Sequence, residues 1–192
     1  MVAIPKYQYM SPLEYLDWEE QQPLKYEYIY GEVFAMTGGT LPHNDVALNL
    51  ASALKNHLRG KACKVQMADA KLGVSENGPF HYPDVMVSCD ERDKRATKVI
   101  YHPCLIVEVL SPTTEGIDRG KNFQNYRQIL TLKEYILITT EQVMVECFRL
   151  NDKGLWELQT YNQGDEIDLR SVDFKFPIDL LYEDVIFENS EE

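Results

Sequence analysis

Hydrophobic and polar positions along the chain alternate between two periods. Positions 105–110 and 135–139 are almost continuously apolar, as expected for strands covered on both faces, because a strand with one wet face alternates instead. Between them Ser111-Pro112-Thr113-Thr114 breaks the first strand, and Thr113 or Thr114 can cap a helix predicted over 115–130 with Phe123, Tyr126 and Leu130 on its apolar face. Upstream, the pattern predicts a short helix from Pro12 to about Glu20 and extended chain through 26–36. A helix over 44–58 follows, with Val46, Ala47, Leu50, Ala51, Leu54 and Leu58 inward, and then strands at 63–73, 83–88 and 104–110. Downstream, 143–150, 155–161 and 166–169 read as short antiparallel strands. They are joined by the turns Asn151-Asp152-Lys153-Gly154 and Asn162-Gln163-Gly164-Asp165. Residues 178–181 read as a last helical turn, and 189–192 as an acidic, frayed tail. Strands and helices mixed in this way predict an α/β (α+β) protein, with a mixed sheet flanked by helices and a C-terminal antiparallel meander.

Two acids interrupt this pattern. Glu108 lies within Leu105-Ile106-Val107-Glu108-Val109-Leu110, where the period of two turns it to the face shared by Ile106 and Leu110. Asp84 opens the shorter strand Val85-Met86-Val87 after Tyr82-Pro83, and Pro is acceptable at a strand's first residue. A carboxylate in a buried run costs several kcal/mol unless it is paired or coordinated. If the two strands are neighbours, the acids converge, and hard oxygen ligands of this kind suit Mg²⁺ or Mn²⁺. The alternative is that each acid caps a turn or pairs with a buried Arg or Lys. In the following helix Asp118, Lys121, Asn125 and Gln128 share a polar face, which can bring Lys121 back toward the acids or simply be solvated.

These residues also carry a resemblance. Tyr82-Pro83-Asp84-Val85, Glu108-Val109-Leu110-Ser111-Pro112-Thr113-Thr114, Asp118, Lys121, Tyr126 and Glu134-Tyr135-Ile136-Leu137-Ile138 resemble the Uma family of restriction endonucleases, within the PD-(D/E)xK nuclease superfamily. The likeness extends upstream through Tyr26-Glu27-Tyr28-Ile29-Tyr30-Gly31-Glu32-Val33 and His43, over most of residues 10–150. It implies a metal-dependent endodeoxyribonuclease in which Asp84, Glu108 and the backbone carbonyl of Val109 hold Mg²⁺ or Mn²⁺. The superfamily usually places a Lys two residues after the strand Glu, where this chain has Leu110. The resemblance makes Lys121 the migrated catalytic lysine, with Lys71 as competing donor. Glu32, His43 and Asp118 are accessory candidates, although a Gly-Glu pair is commonly a turn and a lone His commonly makes one structural hydrogen bond. A noncatalytic module that binds metal or a protein is the alternative function.

Composition narrows the partners. The chain has 192 residues, 44% of them hydrophobic, and no Gly/Pro/Ser-rich linker, which predicts one domain over 1–192 with its core at about 25–140 and a strand extension at about 141–182. With no long apolar run and no signal-peptide pattern near Met1, a soluble cytoplasmic protein is expected. Cys63, Cys89, Cys104 and Cys147 are widely spaced without a CxxC pair, so reduced, mostly buried thiols are expected rather than disulfides or zinc. A net charge of −12 opposes polyphosphate at long range. The charge is uneven, however: residues 61–133 hold eleven Lys/Arg against nine Asp/Glu. Arg92, Lys94, Arg95 and Lys98 are the densest basic cluster and the candidate contact to the DNA backbone, diluted by Asp90, Glu91 and Asp93. A homodimer is expected, because two-strand cleavage is often performed by paired subunits.

Overall fold

In chain order the strands are β1 (Val2–Ala3), β2 (Tyr26–Ile29), β3 (Glu32–Ala35), β4 (Lys64–Met67), β5 (Lys71–Gly73), β6 (Phe80–His81) and β7 (Val85–Ser88), then β8 (Val99–Ile100), β9 (Leu105–Leu110), β10 (Glu134–Thr139), β11 (Met144–Leu150), β12 (Trp156–Asn162), β13 (Glu166–Leu169) and β14 (Phe174–Pro177). They come from a computed structural model that describes residues 2–3, 9–36 and 38–187. One six-stranded sheet runs β12-β11-β10-β9-β7-β4, a second runs β1-β3-β2-β6-β5-β8, and β13 and β14 form a separate ribbon. The two apolar runs singled out above are the central neighbours β9 and β10, paired in parallel, with Glu108 opposite Leu137.

The core explains these assignments. Helix α1 (Pro12–Glu19) starts at a capping box in which Ser11 and Glu14 satisfy each other's backbone N–H groups. Its Tyr15 is buried against Tyr28 and Phe80 of the second sheet. Helix α2 (Leu41–His57) turns Val46, Leu50 and Leu54 onto one face of the first sheet, where they meet Val85, Val87, Val107 and Val109. On the opposite face, Met86, Ile106 and Leu110 pack with Tyr126, Leu132 and Tyr135. Glu108 shares that second face, as the period of two requires, and is 7% exposed.

Several expectations need correction. The strand-like run 63–73 is two strands in different sheets, split where Ala68 takes a positive φ of 44°, and this carries Lys71 into the second sheet. The helix expected over 115–130 stops at Tyr126 and contains a π-helical turn, Asp118–Asn122. Leu130 therefore lies 94% exposed rather than on an apolar face. Within the C-terminal segment β11 and β12 continue the main sheet, whereas β13 leaves it to pair with β14. Cys63 and Cys89 form a disulfide, against the expectation of free thiols, because antiparallel pairing of β4 with β7 (Lys64 opposite Ser88) brings them face to face. Cys104 and Cys147 are free. The acidic tail 189–192 lies outside the described residues.

Candidate active site

Strand register creates the site. β7 pairs antiparallel with β9, Val85 opposite Val107, so Asp84 lies one step beyond the last pair and faces Glu108. The two strands are tied there through the acids themselves: the Val109 N–H donates to Asp84 Oδ2 at 2.7 Å and the Asp84 N–H to Glu108 Oε2 at 3.3 Å. The Tyr126 hydroxyl, arriving from the helical segment after β9, donates to Glu108 Oε1 at 2.8 Å. A cavity of about 300 Å³ opens at this point and is lined by Glu27, His43, Asp84, Glu108, Asp118 and Asn122 among others.

Its electrostatics are those of crowded carboxylates. Burial, then Asp118 and Asp84, hold Glu108 well above the usual carboxylate range, only partly offset by the Tyr126 hydrogen bond. Burial chiefly, with Asp84 and Glu27 adding, pushes Asp118 up to about 6 despite hydrogen bonds from Thr114 and Asn122. His43 is the basic counterpart. Burial opposes its protonation, but Asp84 Oδ2 at 3.2 Å from Nε2 and a backbone hydrogen bond with Val109 outweigh that, so its pKa is raised. His43 is held in the first turn of α2, capped by Thr40, and a Cβ on Gly39 would lie 2.9 Å from its Nδ1. Glycine at 39 is what lets the loop approach the imidazole this closely.

The donor set fits a divalent cation of a particular kind. Two facing carboxylates and a nearby backbone carbonyl suit Mg²⁺ or Mn²⁺ that keep several waters, as hard cations do. They do not form a closed cage: among the described residues no three His, Cys, Asp or Glu side chains surround one point.

The structure brings Asp84, Glu108, Val109, His43 and Asp118 together at one cavity. It does not bring Glu32, which is exposed on β3, nor Lys71, which is 7% exposed and bound to Glu19 at 3.0 Å between the Tyr15 and Tyr82 rings. Lys121 is exposed on the segment whose Asp118 and Asn122 line the cavity, and does not itself line it. Arg92, Lys94 and Lys98 are bound to Asp90, Glu91 and Glu20, and Arg95 is exposed with no ion pair among the described residues. All four follow β7, at the opposite end from Asp84. Sequence reasoning missed Glu27, buried in the aromatic strand Tyr26–Ile29, although the signal that exposed Glu108, an acid inside an apolar strand, was present there too. It also missed the role of Tyr126 as a hydrogen-bond donor to Glu108.

A mixed α+β core with an acidic cavity at the end of its central strands is a nuclease-like fold. The chain shares it with the crystal structure of "a putative nuclease belonging to DUF820" from Anabaena variabilis, at a TM-score of 0.76 and 15% identity over 92% of this chain and 99% of that one. The chain belongs to the Uma2 family, whose model, described as "Putative restriction endonuclease", matches residues 12–179. Two Synechocystis relatives carry the names uncharacterized protein slr1290 and sll1609. The first is 38% identical over 93% of this chain and 94% of its own length, and the second 31% identical over 82% and 90%. No helix of the described residues is long and apolar enough to cross a membrane.

Proposed function

We propose that this protein is an endonuclease that hydrolyses phosphodiester bonds of DNA with Mg²⁺ or Mn²⁺ held by Asp84, Glu108 and the Val109 carbonyl. The observation that carries the reading is the facing pair Asp84 and Glu108, the first half-buried and the second buried with its pKa raised by burial and by its carboxylate neighbours, both lining an open cavity. A cation bound there would polarise the phosphodiester and lower the pKa of a bound water. Asp84 is held by the Val109 N–H and Glu108 by Tyr126, so both carboxylates are oriented before substrate arrives. His43, whose pKa is raised beside Asp84, offers in its protonated form an N–H donor for a phosphoryl oxygen or a proton for the departing oxygen. Lys121, exposed next to Asn122 and with no ion pair among the described residues, is assigned the ammonium that bound DNA would recruit. The protein is read as cytoplasmic and as a homodimer, with one subunit for each DNA strand.

The test is Mn²⁺-dependent nicking of supercoiled DNA by variants shown by circular dichroism to be folded. Asp84→Asn and Glu108→Gln should each lower the rate by about a thousand-fold or more, and His43→Ala by roughly 10²- to 10⁴-fold. Lys121→Ala should lose most cleavage while keeping metal binding, whereas Lys71→Ala should affect stability alone. Wild-type protein that neither binds millimolar Mn²⁺ nor nicks DNA would sink the reading. A second reading, a noncatalytic metal- or protein-binding member, is favoured by one observation: among the described residues no Lys or Arg lines the cavity. Full metal binding without cleavage would select it.

A further inference from the structure

Three of the four cysteines stand in a row at one end of the main sheet. Cys63 precedes β4, Cys89 follows β7 and Cys104 precedes β9, and the strand order β9-β7-β4 places Cys89 between the other two. Cys89 is joined to Cys63, and its Sγ also lies 3.8 Å from the free Cys104 Sγ. This end is the far one from the acids, since Asp84 stands at the start of β7 and Glu108 toward the end of β9.

A thiol in contact with a disulfide is the starting geometry of an exchange reaction. The backbone fixes the contact. The Cys104 N–H donates to the Val87 carbonyl at 2.8 Å, and the Cys104 thiol donates to the same oxygen at 3.4 Å. Lys64 lies opposite Ser88 in one ladder and Val87 opposite Leu105 in the next, so strand register sets both sulfur neighbours of Cys89. Cys147 differs: it is buried beside Glu134 and Arg149, with no second thiol in contact among the described residues.

The three sulfurs are not equivalent. Burial, with Glu134 adding, pushes the Cys104 thiol up to about 11, so it rests protonated and in reserve. Cys63 instead sits in the run Arg59-Gly60-Lys61-Ala62-Cys63-Lys64, which holds three cations and no acid. Positive charge there suits a departing thiolate and a small thiol that carries carboxylates. All three cysteines are half-buried, within reach of a small molecule and sheltered from a large one.

We propose that Cys63, Cys89 and Cys104 form a thiol–disulfide exchange site, in which Cys104 takes Cys89 from Cys63 and the freed Cys63 is capped by a low-molecular-weight thiol. Cys104 gives its proton to water and its sulfur attacks Cys89 Sγ. The Cys89–Cys104 bond forms as the Cys63–Cys89 bond breaks, and the electron pair leaves on Cys63. That thiolate then attacks one sulfur of a small disulfide, forming a mixed disulfide and expelling the other half as a thiolate. Each step makes one S–S bond for the one it breaks, so no further oxidant enters. The covalent tie thereby moves from the edge pair β4-β7 to the inner pair β7-β9, and the start of β4 is released.

The experiment maps disulfides and needs no turnover, so its outcome is independent of the endonuclease reading. The full chain is held in mixtures of oxidised and reduced glutathione and quenched by alkylation, and its cysteine peptides are assigned by mass spectrometry. Wild type, Cys63→Ser and Cys104→Ser are compared, each checked for folding by circular dichroism. Wild type should yield both Cys63–Cys89 and Cys89–Cys104 linkages, with glutathione on Cys63 rising as the second linkage rises. Cys63→Ser should form Cys89–Cys104 in most molecules, and Cys104→Ser should keep Cys63–Cys89 and lose most of the glutathione on Cys63. Wild type confined to Cys63–Cys89 at every ratio overturns the proposal, as does Cys63→Ser in which Cys89 and Cys104 never join. If Cys63→Ser does not fold, Cys104→Ser decides with the wild type, and glutathione on its Cys63 at the wild-type level overturns the exchange.

Discussion

A buried acid lies toward each end of the β7–β9 pair, Glu108 within β9 and Asp93 in the turn that follows β7, and the two are treated in opposite ways. Asp93, just past the end of β7, is 3% exposed and receives Ser88 Oγ at 2.7 Å, the His102 N–H at 2.9 Å, the His102 ring at 3.0 Å and the Tyr101 N–H at 3.2 Å. Burial works against its ionisation, but these bonds win and its pKa is lowered. Glu108, at the other end, is buried as deeply with fewer donors and three carboxylates for company, and its pKa is raised. Burial alone therefore does not mark a functional acid. What separates the two is whether the fold supplies enough donors to hold the charge, which it does for Asp93 and withholds from Glu108.

Three measurements break or sharpen this contrast. The largest effect is on stability without metal. Asp93→Ala strands several buried donors and should cost about 3 kcal/mol in urea denaturation, whereas Glu108→Gln under the same chelated conditions should change stability by less than about 1 kcal/mol, since it also relieves repulsion. Equal losses at the two sites would erase the distinction between them.

Next comes pH dependence, again with chelator present. Asp118 is raised from 3.8 to about 6, so its contribution to stability is fully present below pH 3.8 and lost as pH rises through about 6. The shift of roughly two units corresponds to up to about 3 kcal/mol, and Asp118→Asn should flatten the profile there. Asp93, lowered from 3.8, works the other way: its contribution is present above that value and lost as pH falls through its folded pKa, so Asp93→Asn should flatten the acid limb. Identical profiles for the two variants would contradict the assigned directions. Saturating Mn²⁺ should abolish the Asp118 effect by keeping that carboxylate ionised.

The smallest effect belongs to the basic cluster near Asp93. Three of its four cations are already bound to acids. Changing Arg92, Lys94, Arg95 and Lys98 together to Gln should alter the slope of log affinity for DNA against log salt by less than about one, and Arg95→Gln alone should reproduce most of it. A larger change would make this loop a principal DNA contact.

Particular residues show what could be read without coordinates. The almost continuously apolar character of 105–110 was enough to identify a central strand, and its period of two put Glu108 on the face of Ile106 and Leu110, where it lies. The spacing of Val46, Leu50 and Leu54 likewise defined the buried face of α2 and carried His43 to its start. The accessory acid was harder. Glu32 stands out through its neighbour Gly31, yet Glu27 is the acid that lines the cavity, and choosing between them needs the fold, which buries Glu27 within β2 and leaves Glu32 exposed at the turn end of the β2-β3 hairpin.

Local periodicity thus determined the central strands, the buried face of α2 and the oddity of an acid in a core strand, because these depend on neighbours a few residues apart in sequence. Only the tertiary structure decided the rest. The pairing of Val85 with Val107 set Asp84 against Glu108, the same antiparallel logic joined Cys63 to Cys89, and the break at Ala68 took Lys71 away to Glu19. Each is a matter of register or turn between distant segments, and one step of register reverses which face a side chain meets. The same holds for charge. Whether an acid is satisfied like Asp93 or exposed to its own kind like Glu108 depends on donors brought from elsewhere in the chain, which no local pattern records.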